Sequence, residues 1–213
     1  MIRFATEHDK PAVQTLTQQT FAHNDKFWQR FFNNRYRADH CLVAEENNTI
    51  VATLQLIPYQ IIVDEKSYSA VYLYAICTAP EQRKRGFMRR LVEFALAELK
   101  KQGIAVVFLS PQEEYLVAVY EKFGFWRAFV SKLEKLLPLL LSAPDAEEAY
   151  RYYAEFYHNK NHIKLSRTQF DFLYRELRYH HSNPPEKALA LILNNEKLSW
   201  ITIENTQLGL IDD

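Results

Sequence analysis

Four glycines serve a chain of 213 residues, about 2% where about 7% is usual. Any turn that needs glycine must fall at one of four positions, and three of them, Gly86, Gly103 and Gly124, lie between residues 86 and 124. Each sits where a turn or a helix end is expected. Ahead of Gly86, residues 67 to 78 read as a strand closed by Pro80; behind it, Phe87, Leu91, Phe94, Ala95 and Leu99 recur at helical spacing up to Gly103. Residues 104 to 109 form a continuous apolar run of strand length, expected to lie buried and parallel to the strand before the helix. The result is a βαβ unit inside a mixed sheet, and hence an α/β chain.

The flanking segments extend this pattern. Residues 2 to 4 read as a short strand, Thr6 and Asp9 as helix caps, and Pro11 as a first-turn residue of a helix over 9–22. A second helix over 25–34 carries Phe27, Trp28, Phe31 and Phe32, as core or as the wall of a ligand pocket. Residues 41 to 57 predict a hairpin turning at Glu46-Asn47-Asn48, and 60–63 and 67–78 predict two further strands around Asp64-Glu65-Lys66. After 109 come a helix over 112–122 and a strand over 126–134. Residues 136 to 142, with Pro138 and Pro144, read as a boundary. Two helices, 145–157 and 166–180, and a hairpin of 189–193 with 198–203 around Asn194-Asn195 complete the chain. The expected organisation is a domain over 1–135 and an extension over 136–213.

Composition excludes several classes. Apolar residues at 48% and charged residues at 24% are globular usage. Lys and Arg (26) balance Asp and Glu (26), so no global field favours nucleic acid or an anionic membrane, and neither is an expected partner. No apolar run approaches the ~18 residues that span a bilayer, and the N-terminal segment is broken by Glu7, His8, Asp9 and Lys10. Cys41 and Cys77 stand apart from any CxxC spacing, which fits a reducing compartment; a cytoplasmic protein is expected.

The chemistry concentrates around Gly86. Five of the eight residues from 83 to 90 are basic: Arg83, Lys84, Arg85, Arg89 and Arg90. A strand that turns into a helix directs backbone amides and the positive end of the helix dipole at one spot, which suits a phosphate. Gly86 would let the phosphate approach the backbone, and the basic side chains would neutralise it. A solvated basic face is the alternative.

This segment resembles the GNAT superfamily of N-acetyltransferases, whose motif is Arg or Gln, two residues, Gly, one residue, then Gly or Ala. Arg83, Gly86 and Met88 occupy those positions, Met88 in place of the usual small residue. The family's helix ending in Tyr-x-x-x-Gly-Phe is matched by Tyr120-Glu121-Lys122-Phe123-Gly124-Phe125. The likeness covers residues 1 to about 134, and the tyrosine-rich strand followed by Arg-Lys-Arg-Gly-Phe-Met-Arg-Arg looks most like the branch containing the enhanced intracellular survival acetyltransferases. It implies the GNAT acyl-CoA N-acyltransferase fold, here with a helical and hairpin extension that packs on the first domain or completes a homodimer. It implies acetyl-CoA as co-substrate and an amine acceptor, small molecule or peptide. Ile76, Cys77 and Thr78 would line the pantetheine arm through their backbone; Arg83, Lys84, Arg85, Gly86, Phe87, Met88 and Arg89 would hold the pyrophosphate.

The implied reaction is direct attack of the amine on the thioester, aided by a base, an oxyanion donor and a donor to the leaving thiolate. Tyr120 matches the family's position for the last role. A phenol near 10 facing a thiol near 8.5 makes full proton transfer uphill by roughly 2 kcal/mol, so a hydrogen bond to the thiolate suffices. Packing on the sheet is the alternative role for Tyr120. Strand 67–78 holds no carboxylate to act as base; Glu113, Glu114 and His40 are candidates, and Glu113 and Glu114 read equally as a charged first helical turn. Cys77 reads as a nucleophile or as a buried strand cysteine. His158-x-x-x-His162 has the spacing of two metal ligands without a third, and no metal is expected. Two other functions compete with acetyl transfer: an acyl-CoA-binding sensor or scaffold without turnover, and a nucleic-acid binder using the basic cluster.

Overall fold

The structure, a computed structural model, describes residues 1–21, 25–127, 129–131, 133–180, 189–192 and 203–205. The chain forms two compact units, one of Met1–Ile57 with Tyr72–Gln102, the other built mainly of Pro58–Val71 with Gly103–Ile211. Helices and a mixed sheet make up the fold, as the sequence predicts.

In the first unit, strand β1 (Ile2–Phe4) pairs antiparallel with β2 (Cys41–Glu46), and β2 with β3 (Thr49–Val63). The β2–β3 reversal places Asn47 at φ 49° and Asn48 at φ 58°, left-handed values that asparagine tolerates and that suit the twist of a two-residue hairpin. Helix α1 (Lys10–Thr20) starts after a Thr6–Asp9 capping box, with Pro11 in its first turn. Helix α2 (Asp25–Asn34) drives Phe27, Trp28, Phe31 and Phe32 into the core at 0–1% exposure, against Tyr74. These aromatics are core, the first of the two readings their pattern allowed. Helix α3 (Phe87–Lys101) buries Phe87, Leu91, Ala95 and Leu99, four residues apart, together with Val92. Burial of each of the larger side chains, Phe87, Leu91, Val92 and Leu99, stabilises by about 1.5–3 kcal/mol. The stripe faces β1 and β2, where Phe94 meets Phe4 edge-on at 6.3 Å.

One expectation needs correction here. Residues 57–60 do not separate two strands: β3 runs unbroken through Pro58, whose ring is exposed and whose carbonyl accepts from Gln169 Nε2 at 2.8 Å. The next strand, β4 (Lys66–Thr78), follows from a reversal with Asp64 and Glu65 both left-handed.

The second unit contains β5 (Val106–Leu109), α4 (Glu114–Glu121), β6 (Trp126–Arg127) and β7 (Phe129–Ser131). Helix α5 (Leu133–Ser142) replaces the end of the strand expected over 126–134 and continues through residues 136–142. Pro138 lies inside it, while Leu136 and Leu140, four residues apart, bury one face. Helix α6 (Ala146–Phe156) is capped by Asp145, which accepts from the Glu148 amide at 2.9 Å; β8 (His162–Lys164) and α7 (Arg167–His180) follow. Strand β8 pairs antiparallel with Gln60–Ile62 of β3.

The last two strands also differ from expectation. Strand β9 (Leu189–Ile192) lies antiparallel between β5 and β6, and β10 (Ile203–Asn205) pairs parallel with β7 and β8, so neither serves as the other's hairpin partner. Residues 193–202, the turn and most of the second strand of the expected hairpin, lie outside the described residues.

One buried hydroxyl joins α6 to β8. Tyr153 Oη accepts from the Leu165 amide at 2.9 Å and donates to the Ile163 carbonyl at 3.3 Å, with the ring buried against Tyr157 and Phe170. Tyr153→Phe keeps the ring and strips both backbone groups of this partner. We expect a loss of about 1–3 kcal/mol, read as a lower urea midpoint at unchanged slope; a loss below about 0.5 kcal/mol would show that the hydroxyl is not a tether.

Candidate functional site

The residues singled out around Gly86 form a turn fixed on both sides by buried anchors. Before it, β4 ends with Cys77 at 4% and Ala79 at 8% exposure, packed against Leu16 of α1, and the Ala79 amide donates to the Val51 carbonyl at 2.9 Å. After it, Phe87 is 4% exposed at the start of α3. Between these anchors a single turn of 3-10 helix (Pro80–Gln82) leads to Arg83, and Lys84 and Gly86 adopt left-handed backbone at φ 62° and 79°. For Lys84 that conformation costs about 1 kcal/mol, whereas glycine adopts it freely.

Gly86 is the N-cap of α3 and offers no capping side chain, so the amides of the first turn have no acceptor within the helix and no side-chain cap. A Cβ built on Gly86 would meet no atom within 4 Å, so glycine is required here by its φ, and the space beside it is open. Around this helix start Arg83, Lys84 and Arg89 are exposed. Arg83 Nε reaches back to the Thr78 carbonyl at 3.3 Å. Arg85 is engaged elsewhere, with Glu46 and Gln82. Phe87 contributes its backbone, its ring lying in the core with the Arg90 guanidinium over it at 4.4 Å.

Strand β4 presents Ile76 and Thr78 half-buried, while Cys77 points inward. Burial pushes the Cys77 thiol up to about 12, against the opposing influence of the Thr20 and Thr17 hydroxyls, so it is a buried strand cysteine and not a nucleophile. Ala75 stands at φ 50° inside β4, an irregularity that alanine gives no means of foreseeing. His40 is half-buried, and its burial lowers its pKa.

In the second unit, Tyr120 is the penultimate residue of α4 and 6% exposed. Burial, with a smaller contribution from Tyr115, raises its pKa well above the ordinary phenol value and holds it protonated at neutral pH. The helix ends in a glycine cap: Gly124 has φ 91°, the Phe123 and Phe125 amides donate to the Tyr120 carbonyl at 2.9 and 3.4 Å, and the Phe125 ring meets Tyr120 edge-on at 6.0 Å. The Tyr-x-x-x-Gly-Phe spacing is thus the signature of a helix end that clamps its tyrosine. Glu113 is the exposed N-cap residue of α4 and Glu114 its first residue, which suits the helix dipole. His162 Nδ1 lies 2.8 Å from the Lys160 carbonyl, and the ring packs on Tyr157 at 5.0 Å. Among the described residues no three His, Cys, Asp or Glu side chains gather, and no helix is long and apolar enough to cross a membrane.

These features fit an acyl-CoA diphosphate: uncapped helix-start amides, open space beside Gly86, and three exposed cations.

The chain's fold is similar to the GNAT family N-acetyltransferase YhbS from Escherichia coli, solved in complex with CoA (15% identity, 100% of this chain and 95% of that one, TM-score 0.60). It is also similar to the ribosomal-protein-S18-alanine N-acetyltransferase of Escherichia coli (17% identity, 92% and 94%, TM-score 0.51). For the GCN5-related N-acetyltransferase of Anabaena variabilis the match covers 60% of this chain at 19% identity and TM-score 0.54, and only 32% of the other chain. At these identities the likeness is one of fold. No curated protein shows significant sequence similarity to the chain. The model of the acetyltransferase (GNAT) domain, however, matches residues 1–128, the stretch that holds the turn at Gly86 and the Tyr120–Gly124 helix end, and the chain therefore belongs to the GNAT acetyltransferases.

Proposed function

We propose that the protein is an N-acetyltransferase that moves the acetyl group of acetyl-CoA to a primary amine of a small molecule or peptide. The observation that carries this reading is the uncapped start of α3 behind a left-handed Gly86, ringed by Arg83, Lys84 and Arg89. Its amides and cations hold the diphosphate, Gly86, Phe87 and Met88 through backbone, while Ile76, Cys77 and Thr78 meet the pantetheine arm through theirs. The half-buried Met88 is larger than the residue usual at its position. Placement in the enhanced intracellular survival branch rests on the tyrosine-rich strand and the sequence 83–90 that follows it, and a cytoplasmic setting on two buried free thiols, Cys41 and Cys77.

Acetyl-CoA, when bound, supplies an acyl group activated as a thioester. In the transfer a C–N bond forms and the C–S bond breaks; the amine gives up a proton to a base and the departing sulfur gains hydrogen-bond stabilisation or a proton. Backbone amides of β4 near the left-handed Ala75 are the donors to the carbonyl oxygen, where charge develops. Tyr120 is the donor to the sulfur. Its burial raises the phenol's pKa further above a thiol's, so it serves the sulfur as a neutral hydrogen-bond donor and keeps its proton.

Two experiments test this reading. CoA binds only the native state, so it should raise the unfolding temperature, and Arg83→Ala or Gly86→Glu should diminish that rise. No shift at millimolar CoA would remove the cofactor assignment. Tyr120→Phe should leave the affinity for CoA nearly unchanged and slow single-turnover acetyl transfer by about 10- to 1,000-fold. A variant that transfers at the wild-type rate would reduce Tyr120 to a packing role.

A further inference from the structure

Arg85 lies at the centre of the phosphate-binding turn, yet its guanidinium is already committed. Nη1 donates to Glu46 Oε2 at 2.6 Å and Nη2 to Glu46 Oε1 at 2.9 Å, a two-pronged pair, and Nη1 also donates to Gln82 Oε1. The cation stands over the Phe87 ring at 5.4 Å. Exposed ion pairs contribute little as a rule; a bidentate pair between firmly held partners is the exception. Glu46 is held firmly. It is the last residue of β2, paired with Thr49 across the Asn47-Asn48 turn, and its neighbour Glu45 accepts from Arg3 Nη2 at 2.8 Å. Arg85 for its part sits between the two left-handed residues of the turn, Lys84 and Gly86. A segment with unfavourable backbone on one side and no side chain on the other needs an outside tether to keep one shape.

We propose that Glu46 is a positioning residue for the acyl-CoA phosphates, acting through Arg85: it fixes the 83–86 turn so that the α3 amides, Arg83, Lys84 and Arg89 face the diphosphate before it arrives. This rests on the acyl-CoA reading above, and it makes Arg85 a strut and not a phosphate ligand. Preorganisation of this kind strengthens binding by removing the ordering cost from the binding step.

The test turns on a sign. A carboxylate near an anion site repels the ligand, so if Arg85 were a phosphate ligand competing for Glu46, Glu46→Gln would tighten CoA binding. The strut predicts the opposite: by calorimetry Glu46→Gln weakens CoA binding about 3- to 10-fold, Arg85→Gln does the same, and the double variant loses no more than either alone. Arg85→Gln keeps the wild-type salt dependence of binding, since no phosphate contact is lost. Hydrogen exchange of the ligand-free protein reads the strut directly: the amides of Gln82, Arg83 and Arg90, which donate to carbonyls within the turn and the start of α3, exchange several-fold faster in Glu46→Gln. Tighter binding by Glu46→Gln, additive losses in the double variant, or unchanged exchange would overturn the proposal while wild-type CoA binding upholds the acyl-CoA reading. A wild-type protein that binds no CoA overturns both.

Discussion

The reversal of the chain between β4 and α3 is the constraint on which the site depends. Two left-handed residues, Lys84 and Gly86, bracket a turn whose ends cannot move, because Ala79 on one side and Phe87 on the other are held in the core. The helix that begins there is locked by a stripe of side chains four residues apart, so its first-turn amides inherit their direction from the hydrophobic core. A polar binding surface is thus positioned by apolar packing beneath it. The same packing explains the fate of Cys77: the alternation that brings Ile76 and Thr78 toward the half-buried face turns its thiol into the cluster with Leu16 and Ala79.

The two carboxylates at the end of β2 complete this arrangement. Glu45 grips Arg3, which also holds Asp9, and the Arg3 guanidinium keeps the Asp9 carboxyl well below the usual carboxylate range. Glu46 grips Arg85. Adjacent residues of one strand therefore steady the entry to the first helices and the turn before α3. With 26 basic and 26 acidic side chains in the whole chain, the field that would attract a diphosphate is local, built by the exposed Arg83, Lys84 and Arg89.

Much of this was legible in the sequence wherever a residue type is tied to a backbone state or a period. Gly86 and Gly124 marked helix ends because glycine alone takes their φ without cost, and the spacing of Phe87, Leu91, Ala95 and Leu99 marked the buried face of α3. Strand β8 escaped notice because three residues carry no period, and its place is set by pairing with distant β3. The helix over 133–142 is hidden in the sequence by Pro138, a residue disfavoured in a helix interior, although Leu136 and Leu140 bury one face of it. The left-handed backbone at Ala75 and Lys84 has no sequence mark, since neither residue prefers it. Nor does spacing suggest that Arg85 meets Glu46, 39 positions earlier; only the fold brings them together.

The central claim is that the start of α3 receives the phosphates of CoA, and the backbone amides themselves can report on it. In a titration of the isotope-labelled protein with CoA, followed by amide proton–nitrogen correlation spectra, the resonances of Gly86, Phe87, Met88 and Arg89 should move most, downfield as their N–H groups acquire anionic acceptors. If CoA binds and these four amides stay in place while resonances elsewhere shift, the phosphates lie at another site and the account given for this turn is wrong.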